Sequence, residues 1–326
     1  MTSLCRKYIV GVLLCVCASP IIRAEAFAFD KKTSSALTHY IMGVYYDDVG
    51  DIEKAIEEYQ RAGNLDTESP LIHLNLASDY VKKGDIPRAT QELNLAAKLN
   101  PEAVEPHAIL ALLYSSQNKI DQAAAEYEIA LTNASRLQPQ NVAISKSLGL
   151  IYLQQRKYKD AQNTFRLIAE LFPNDAEAHF YLGSISNELK ENALAEKELK
   201  RTLELKPDFH EALNFLGYLY VEQDRNFGQA ESMIKKAIEL DPNNGAYIDS
   251  LGWLYFKKNK LTEAIQELEK ASGLLDDPVI FDHLGDAYFK LKNTAKAQIS
   301  WEKSLQLDPA QEAVKKKLER LPKPVQ

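Results

Sequence analysis

Two glycines 35 residues apart constrain this chain more than any other feature. Gly217 follows Leu216 and stands three residues before Tyr220; Gly252 follows Leu251 and stands three before Tyr255. Behind them come Ala230 and Ala237, then Ala264 and Ala271, and the first set closes on Asp241-Pro242. A pattern that returns with a period near 34 implies a stack of identical supersecondary units, none of which buries its apolar face alone.

The period runs through most of the chain. With position 1 set seven residues before the small residue of each step, units begin at Ala36, Pro70, Val104, Val142, Ala176, His210, Gly245 and Pro278. Position 8 is small throughout: Gly43, Ala77, Ala111, Gly149, Gly183, Gly217, Gly252 and Gly285. A small residue there lets two helices of one unit approach closely. Position 11 is Tyr46, Tyr80, Tyr114, Tyr152, Tyr220, Tyr255 and Tyr288, with Ser186 as the exception; a long ring at that place is expected to reach the next unit. Position 20 is alanine in seven units, and in the sixth one extra residue moves it to Ala230. Pro101, Pro173, Pro207, Pro242 and Pro309 close five second helices, since proline lacks the amide and clashes with the preceding turn.

This spacing resembles the tetratricopeptide repeat (TPR) family. The resemblance covers residues 36–309 and implies an all-α, right-handed superhelical solenoid of eight helix–turn–helix repeats. Residues 27–35 form a polar lead-in in which Ser34 or Ser35 can cap the first helix. Residues 310–321, AQEAVKKKLERL, have the pattern of a capping helix, with Ala313, Leu318 and Leu321 inward and Lys315, Lys316, Lys317 and Arg320 outward. Residues 322–326 form a tail. Repeat three is longer than its neighbours: Ala130–Pro139 add about one turn to its second helix. The Asn133-Ala134-Ser135 triplet in that insertion matches a glycosylation acceptor, but chance matches are common.

The chain's 326 residues carry a formal charge of −7 and a pI near 5.5, which argues against a nucleic-acid partner. All three cysteines, Cys5, Cys15 and Cys17, lie within the first 17 residues, so no disulfide or thiolate metal site can form downstream. The same region reads as a secretory signal at residues 1–26. Arg6 and Lys7 precede an uncharged run from Tyr8 to Ile22, and Ala24-Glu25-Ala26 offers a small-x-small cleavage site. Cleavage is expected after Ala26, with Ala28 the next choice and an uncleaved anchor the alternative. Neither Cys15 nor Cys17 follows a small residue, so lipidation is not indicated. Removal of the signal leaves a mature chain without cysteine, which suits an oxidising compartment.

No catalytic or cofactor motif is present, and neither cofactor nor metal is expected. Of six histidines, His39, His73, His107 and His179 share position 4, where a ring packs between helices rather than binding a ligand. His210 is at position 1 and His283 at position 6.

In TPR proteins, positions 2, 5, 9, 12 and 13 of the first helices line the concave face. Carried onto repeats six to eight, this implies a partner-binding stripe of Asn214, Tyr218, Asp249, Trp253, Phe256, Asp282, Asp286 and Phe289. Its rings supply rigid contact area; its acids can grip backbone or basic groups. The competing reading is that these rings pack between neighbouring first helices or under a terminal element. A clamp for an acidic chain end, a known TPR mode, is not supported: only Lys146 has the right charge at position 5, and Leu150 stands where that mode needs asparagine.

Repeats six to eight resemble the C-terminal part of exported bacterial cell-envelope TPR proteins. The resemblance implies a non-enzymatic scaffold that holds protein partners, in the periplasm or at the outer membrane, with peripheral membrane association left open. The alternative is a carbohydrate-binding module for polysaccharide or cell-wall assembly, drawn from the aromatic and acidic stripe.

Overall fold

The computed structural model describes residues 31–321; the expected signal at residues 1–26, residues 27–30 and the tail 322–326 lie outside them. Among the described residues there are seventeen helices and no strand. The chain divides into two compact units, Met1–Glu102 and Ala103–Gln326. The first holds α1 (Lys31–Asp48), α2 (Ile52–Leu65), α3 (Pro70–Lys82) and α4 (Ile86–Leu99). The second holds α5 (Glu105–Ser116), α6 (Ile120–Leu137), α7 (Val142–Gln154), α8 (Tyr158–Leu171), α9 (Ala176–Glu188) and α10 (Asn192–Leu205). It continues with α11 (His210–Glu222), α12 (Phe227–Leu240), α13 (Gly245–Lys257), α14 (Leu261–Leu274), α15 (Pro278–Lys290), α16 (Thr294–Leu307) and α17 (Glu312–Glu319).

Odd-numbered helices up to α15 are the first helices of repeats, even-numbered ones the second, and within each unit each packs mainly on its chain neighbours. Aspartate and asparagine side chains start many of them. Asp51, Asp85, Asp175 and Asn293 each accept the amide three residues on, one of the donors a helix start leaves free. Ser34 and Ser35 do not cap. The helix already runs from Lys31, so both serines lie inside α1, where the Ser34 carbonyl accepts from the Thr38 hydroxyl at 2.8 Å. Second helices are 14 residues long except α6, at 18, which absorbs the insertion as one extra turn. That turn buries Asn133, so the glycosylation triplet has no exposed acceptor.

The turn between the two helices of a repeat opens in the same way eight times, with a second left-handed residue, Asn226, added in repeat six. Position 15 has a positive φ in every repeat: Gly50 and Gly84, then Asn118, Arg156, Lys190, Asp224, Asn259 and Lys292 at 49–66°. Glycine enters this region freely; the other side chains do so at a cost.

Close approach inside a repeat is set by position 8. A Cβ added to Gly217 would stand 2.7 Å from the Ile234 side chain, and one added to Gly149 2.6 Å from the Phe165 ring. The tyrosines of position 11 turn backward rather than forward. The Tyr80 hydroxyl accepts from Gln60 of the preceding repeat at 2.9 Å, and Tyr220 donates to Glu196 of the preceding repeat at 3.0 Å. The ring leaves the last turn of a first helix, and the second helix lying against that turn belongs to the repeat before. Each ring also carries a cation over its face. Lys54 lies over Tyr46, Arg88 over Tyr80, Lys119 over Tyr114 and Lys157 over Tyr152. Arg225 lies over Tyr220, Lys260 over Tyr255 and Lys296 over Tyr288, completing a set spanning 4.5–5.8 Å.

The apolar cores are local. One joins Leu199, Leu216, Tyr220, Ile234 and Leu254, another Leu268, Leu284, Tyr288, Trp301 and Val314. Each spans adjacent repeats, as a stack without a central core requires. In α17 the buried residue is Val314, while Ala313 is exposed and Lys317 turns inward. Valine removes more apolar surface than alanine, and the rotation that buries it carries Lys317 toward the acids of α15.

Candidate functional site

The four position-4 histidines share a partner that the sequence reading did not identify. His39, His73, His107 and His179 each place Nδ1 2.6–2.7 Å from a glutamate nineteen residues on: Glu58, Glu92, Glu126 and Glu198. Each pair ties the two helices of one repeat. The recurrence of glutamate at position 23 wherever position 4 is histidine is the signal that could have revealed it. His210 Nδ1 lies 2.8 Å from the Tyr247 hydroxyl. Lys146 is held by Asp175 at 2.8 Å and Glu177 at 2.7 Å, so it is not a free clamp residue. Among the described residues no group of three His, Cys, Asp or Glu side chains could hold a metal ion.

The stripe of repeats six to eight sits on α11, α13 and α15, and the structure brings its members into two clusters. Trp253 is the centre of the first. Its ring is stacked 4.6 Å from Phe256 at 8° and 4.0 Å from His283 at 12°, and its Nε1 donates to Glu222 at 2.6 Å. The indole is wedged between neighbouring first helices. Asp249, expected to face a ligand, is buried and accepts from His283 Nδ1 at 2.9 Å. Burial works against a charged His283, but the Asp249 carboxylate, aided by Asp282 and Asp286, outweighs it and raises the imidazole above its ordinary 6.5. Burial, then the charges of Glu222 and Asp249, push the Tyr218 hydroxyl up as well. Asn214 is half-buried, and its Oδ1 has no hydrogen-bond partner.

The second cluster is held by the terminal helix. Lys317 of α17 donates to Asp282 at 2.6 Å and to Asp286 at 2.8 Å, and Trp301 Nε1 donates to Asp286 at 3.2 Å. Burial raises Asp286 despite Lys317. These acids are therefore occupied from within. Phe289 is different: it is 44% exposed, with its ring centre 5.5 Å from that of Trp301.

Two clefts lie along this stripe. One, of about 470 Å³, is lined by Asn187, Glu188, Phe215, Tyr218 and Glu222. The other, of about 550 Å³, is lined by Phe256, Asp286, Phe289, Lys290, Lys292 and Thr294. Lys290 lies 4.5 Å over the Phe256 ring, and neither it nor Lys292 has a carboxylate partner.

Tetratricopeptide repeat models match residues 36–68, 74–142, 109–161, 146–208, 210–244, 247–274 and 280–311. The chain belongs to the tetratricopeptide repeat family. TPR repeats in general form non-enzymatic scaffolds that bind protein partners. Among solved structures, a tetratricopeptide repeat protein from Parabacteroides merdae superposes with a TM-score of 0.59 at 20% identity, over 77% of this chain and 97% of that one. The APC/C hetero-tetramer Cut9-Hcn1 gives 0.58 at 18% identity, over 89% of this chain and 55% of that one. At such identities the likeness establishes the all-α TPR fold. The comparison with curated proteins found no match.

Proposed function

We propose that this TPR chain is a protein-interaction scaffold of the bacterial cell envelope that seats a partner segment against the first helices of repeats six to eight. The observation that carries the binding site is the cleft at Phe256 and Phe289. It combines an exposed ring with two lysines that no internal carboxylate neutralises. The export segment at residues 1–26 and the absence of any cysteine after Cys17 support the envelope setting. Among the described residues no helix is long and apolar enough to cross a membrane.

The glycan reading is less favoured at Trp253, because its ring is stacked on Phe256 and on His283 and its Nε1 already donates to Glu222.

The test is recovery of partners from envelope extract by the tagged chain and by Phe289→Ala/Lys290→Ala, two exposed positions whose change leaves the helices intact. Loss of a co-purifying protein in the variant supports the site. Equal recovery moves binding elsewhere on the repeats, and purified glycans retained by the wild type alone would favour the carbohydrate reading. N-terminal sequencing of the exported chain checks the compartment; a chain retained in the cytoplasm with residues 1–26 intact would remove the envelope part.

A further inference from the structure

The first helix exposes an apolar stripe, one member of which stands at a position that later repeats mostly bury. Position 10 of the first helix is buried in most later repeats, at Asp79, Leu113, Ile185, Leu219, Leu254 and Ala287, and half-buried at Ile151. The same position in α1 is Tyr45, which is 56% exposed. It is joined by Leu37, Ile41 and Val44, all exposed, at the i, i+4, i+7 and i+8 spacing of one helix face. No helix precedes α1 among the described residues.

The charges of α1 indicate what covers this face. Lys31 and Lys32 stand in its first turn, and Asp47 and Asp48 in its last. Asp47 is engaged by Lys82, but Lys31, Lys32 and Asp48 are exposed and have no ion partner. Each end thus bears the charge that its own helix dipole disfavours. A parallel neighbour of the same sequence would set like charges side by side. An antiparallel neighbour sets the lysine end of one helix against the aspartate end of the other, and aligns the two dipoles favourably. The apolar stripe from Leu37 to Tyr45 is centred on Ile41, so a two-fold axis near Ile41 matches stripe to stripe and charge to charge.

We infer that α1 is a self-association surface whose occupant is the α1 of a second copy of this chain, packed antiparallel about Ile41. This is separate from the cleft on α13 and α15 and does not depend on it. One helix pair buries less than a standard interface, so the dimer is a reversible one, with Kd on the order of 1–100 µM.

Sedimentation velocity of the full chain across that concentration range tests the inference. Wild type is expected to dimerise and to weaken with added salt. Ile41→Glu and Leu37→Glu, both at exposed positions, are each expected to raise Kd at least tenfold while far-ultraviolet circular dichroism stays unchanged. Lys31→Glu/Lys32→Glu is expected to weaken the dimer, and adding Asp48→Lys to restore it. A wild type that stays monomeric at the highest concentration overturns the inference, as does a dimer indifferent to Ile41→Glu. A dimer broken by Ile41→Glu but unmoved by the charge reversals overturns the antiparallel arrangement.

Discussion

Lys317 donates to Asp282 at 2.6 Å, so the terminal helix of the chain satisfies an acid of the last repeat's first helix. With Asp286 at 2.8 Å on the same ammonium, α17 stands where a ninth repeat would begin. Lys317→Ala leaves two half-buried carboxylates facing each other. The expected loss is about 1–2 kcal/mol, less than a fully buried pair would give because all three groups retain some contact with water. Hydrogen exchange is expected to rise in α17 and α16 and to stay unchanged in α7 and α8; uniform protection in the variant would show that Val314 alone holds the cap.

His283 gives repeats seven and eight a pH dependence of definite sign. Its folded value lies above the ordinary 6.5, so the pair with Asp249 stabilises fully below 6.5 and its contribution is lost as pH rises through the raised value. The facing groups are Asp249, Asp282 and Asp286, with the Trp253 ring stacked alongside. Thermal unfolding followed from about pH 6 to 9 is expected to show this fall in wild type and a flatter profile in Asp249→Asn. An identical slope in both proteins would place the titration elsewhere.

Two glycines of the chain are expected to respond oppositely to alanine. Gly149→Ala drives a methyl to 2.6 Å from the buried Phe165 ring, and overpacking of this kind costs about 1–3 kcal/mol. Gly63, inside α2, has its nearest atom at an ordinary 3.5 Å from the added Cβ, so Gly63→Ala gains roughly 0.5–1 kcal/mol of helix propensity. Denaturant midpoints of the two variants moving in the same direction would contradict the close-approach role of position 8.

The left-handed turns offer a stabilising change. Arg156 holds φ at 57°, and Arg156→Gly removes that penalty, for a net gain of roughly 0.5–1 kcal/mol after glycine's greater chain entropy. Gly84→Ala, at φ 76°, is expected to lose about 1 kcal/mol for the same reason. A shift in the denaturant midpoint checks each.

Asp79 is a buried carboxylate at a position where Leu219 and Leu254 stand in later repeats. Burial raises it, against the opposing pull of Lys82, and its Oδ2 has no partner. A raised carboxylate stabilises below its unfolded value and loses that contribution as pH rises through the folded one. Asp79→Leu is therefore expected to stabilise the first unit by about 1 kcal/mol or more at neutral pH, and by less in acid. Equal gains at both pH values would mean that the carboxylate is not the cause.

The repeat frame was legible because packing dictates it locally: only a small residue fits at Gly217 against Ile234, and Tyr220 recurs where a ring must lie under a cation. The candidate site was less legible because its members take partners far away in sequence. Asp249 spends its charge on His283, thirty-four residues on, and Asp282 on Lys317, thirty-five residues on. A frame that assigns each side chain to a face says nothing about which neighbour claims it. The direction of the position-11 tyrosines failed for a related reason. The pattern shows that a ring bridges repeats, but which repeat it reaches depends on how the helices lie against one another.

The histidine–glutamate ties are confined to repeats one, two, three and five, while Leu213, Ile248 and Phe281 fill the same position in repeats six to eight. Apolar contacts weaken on cooling because their burial carries a large heat-capacity change; hydrogen-bonded polar ties lack that signature. The consequence is calorimetric. At this position the C-terminal repeats carry the larger heat-capacity contribution, so chilling weakens this tie in repeats six and seven, through Leu213 and Ile248, ahead of the histidine–glutamate ties of the early repeats.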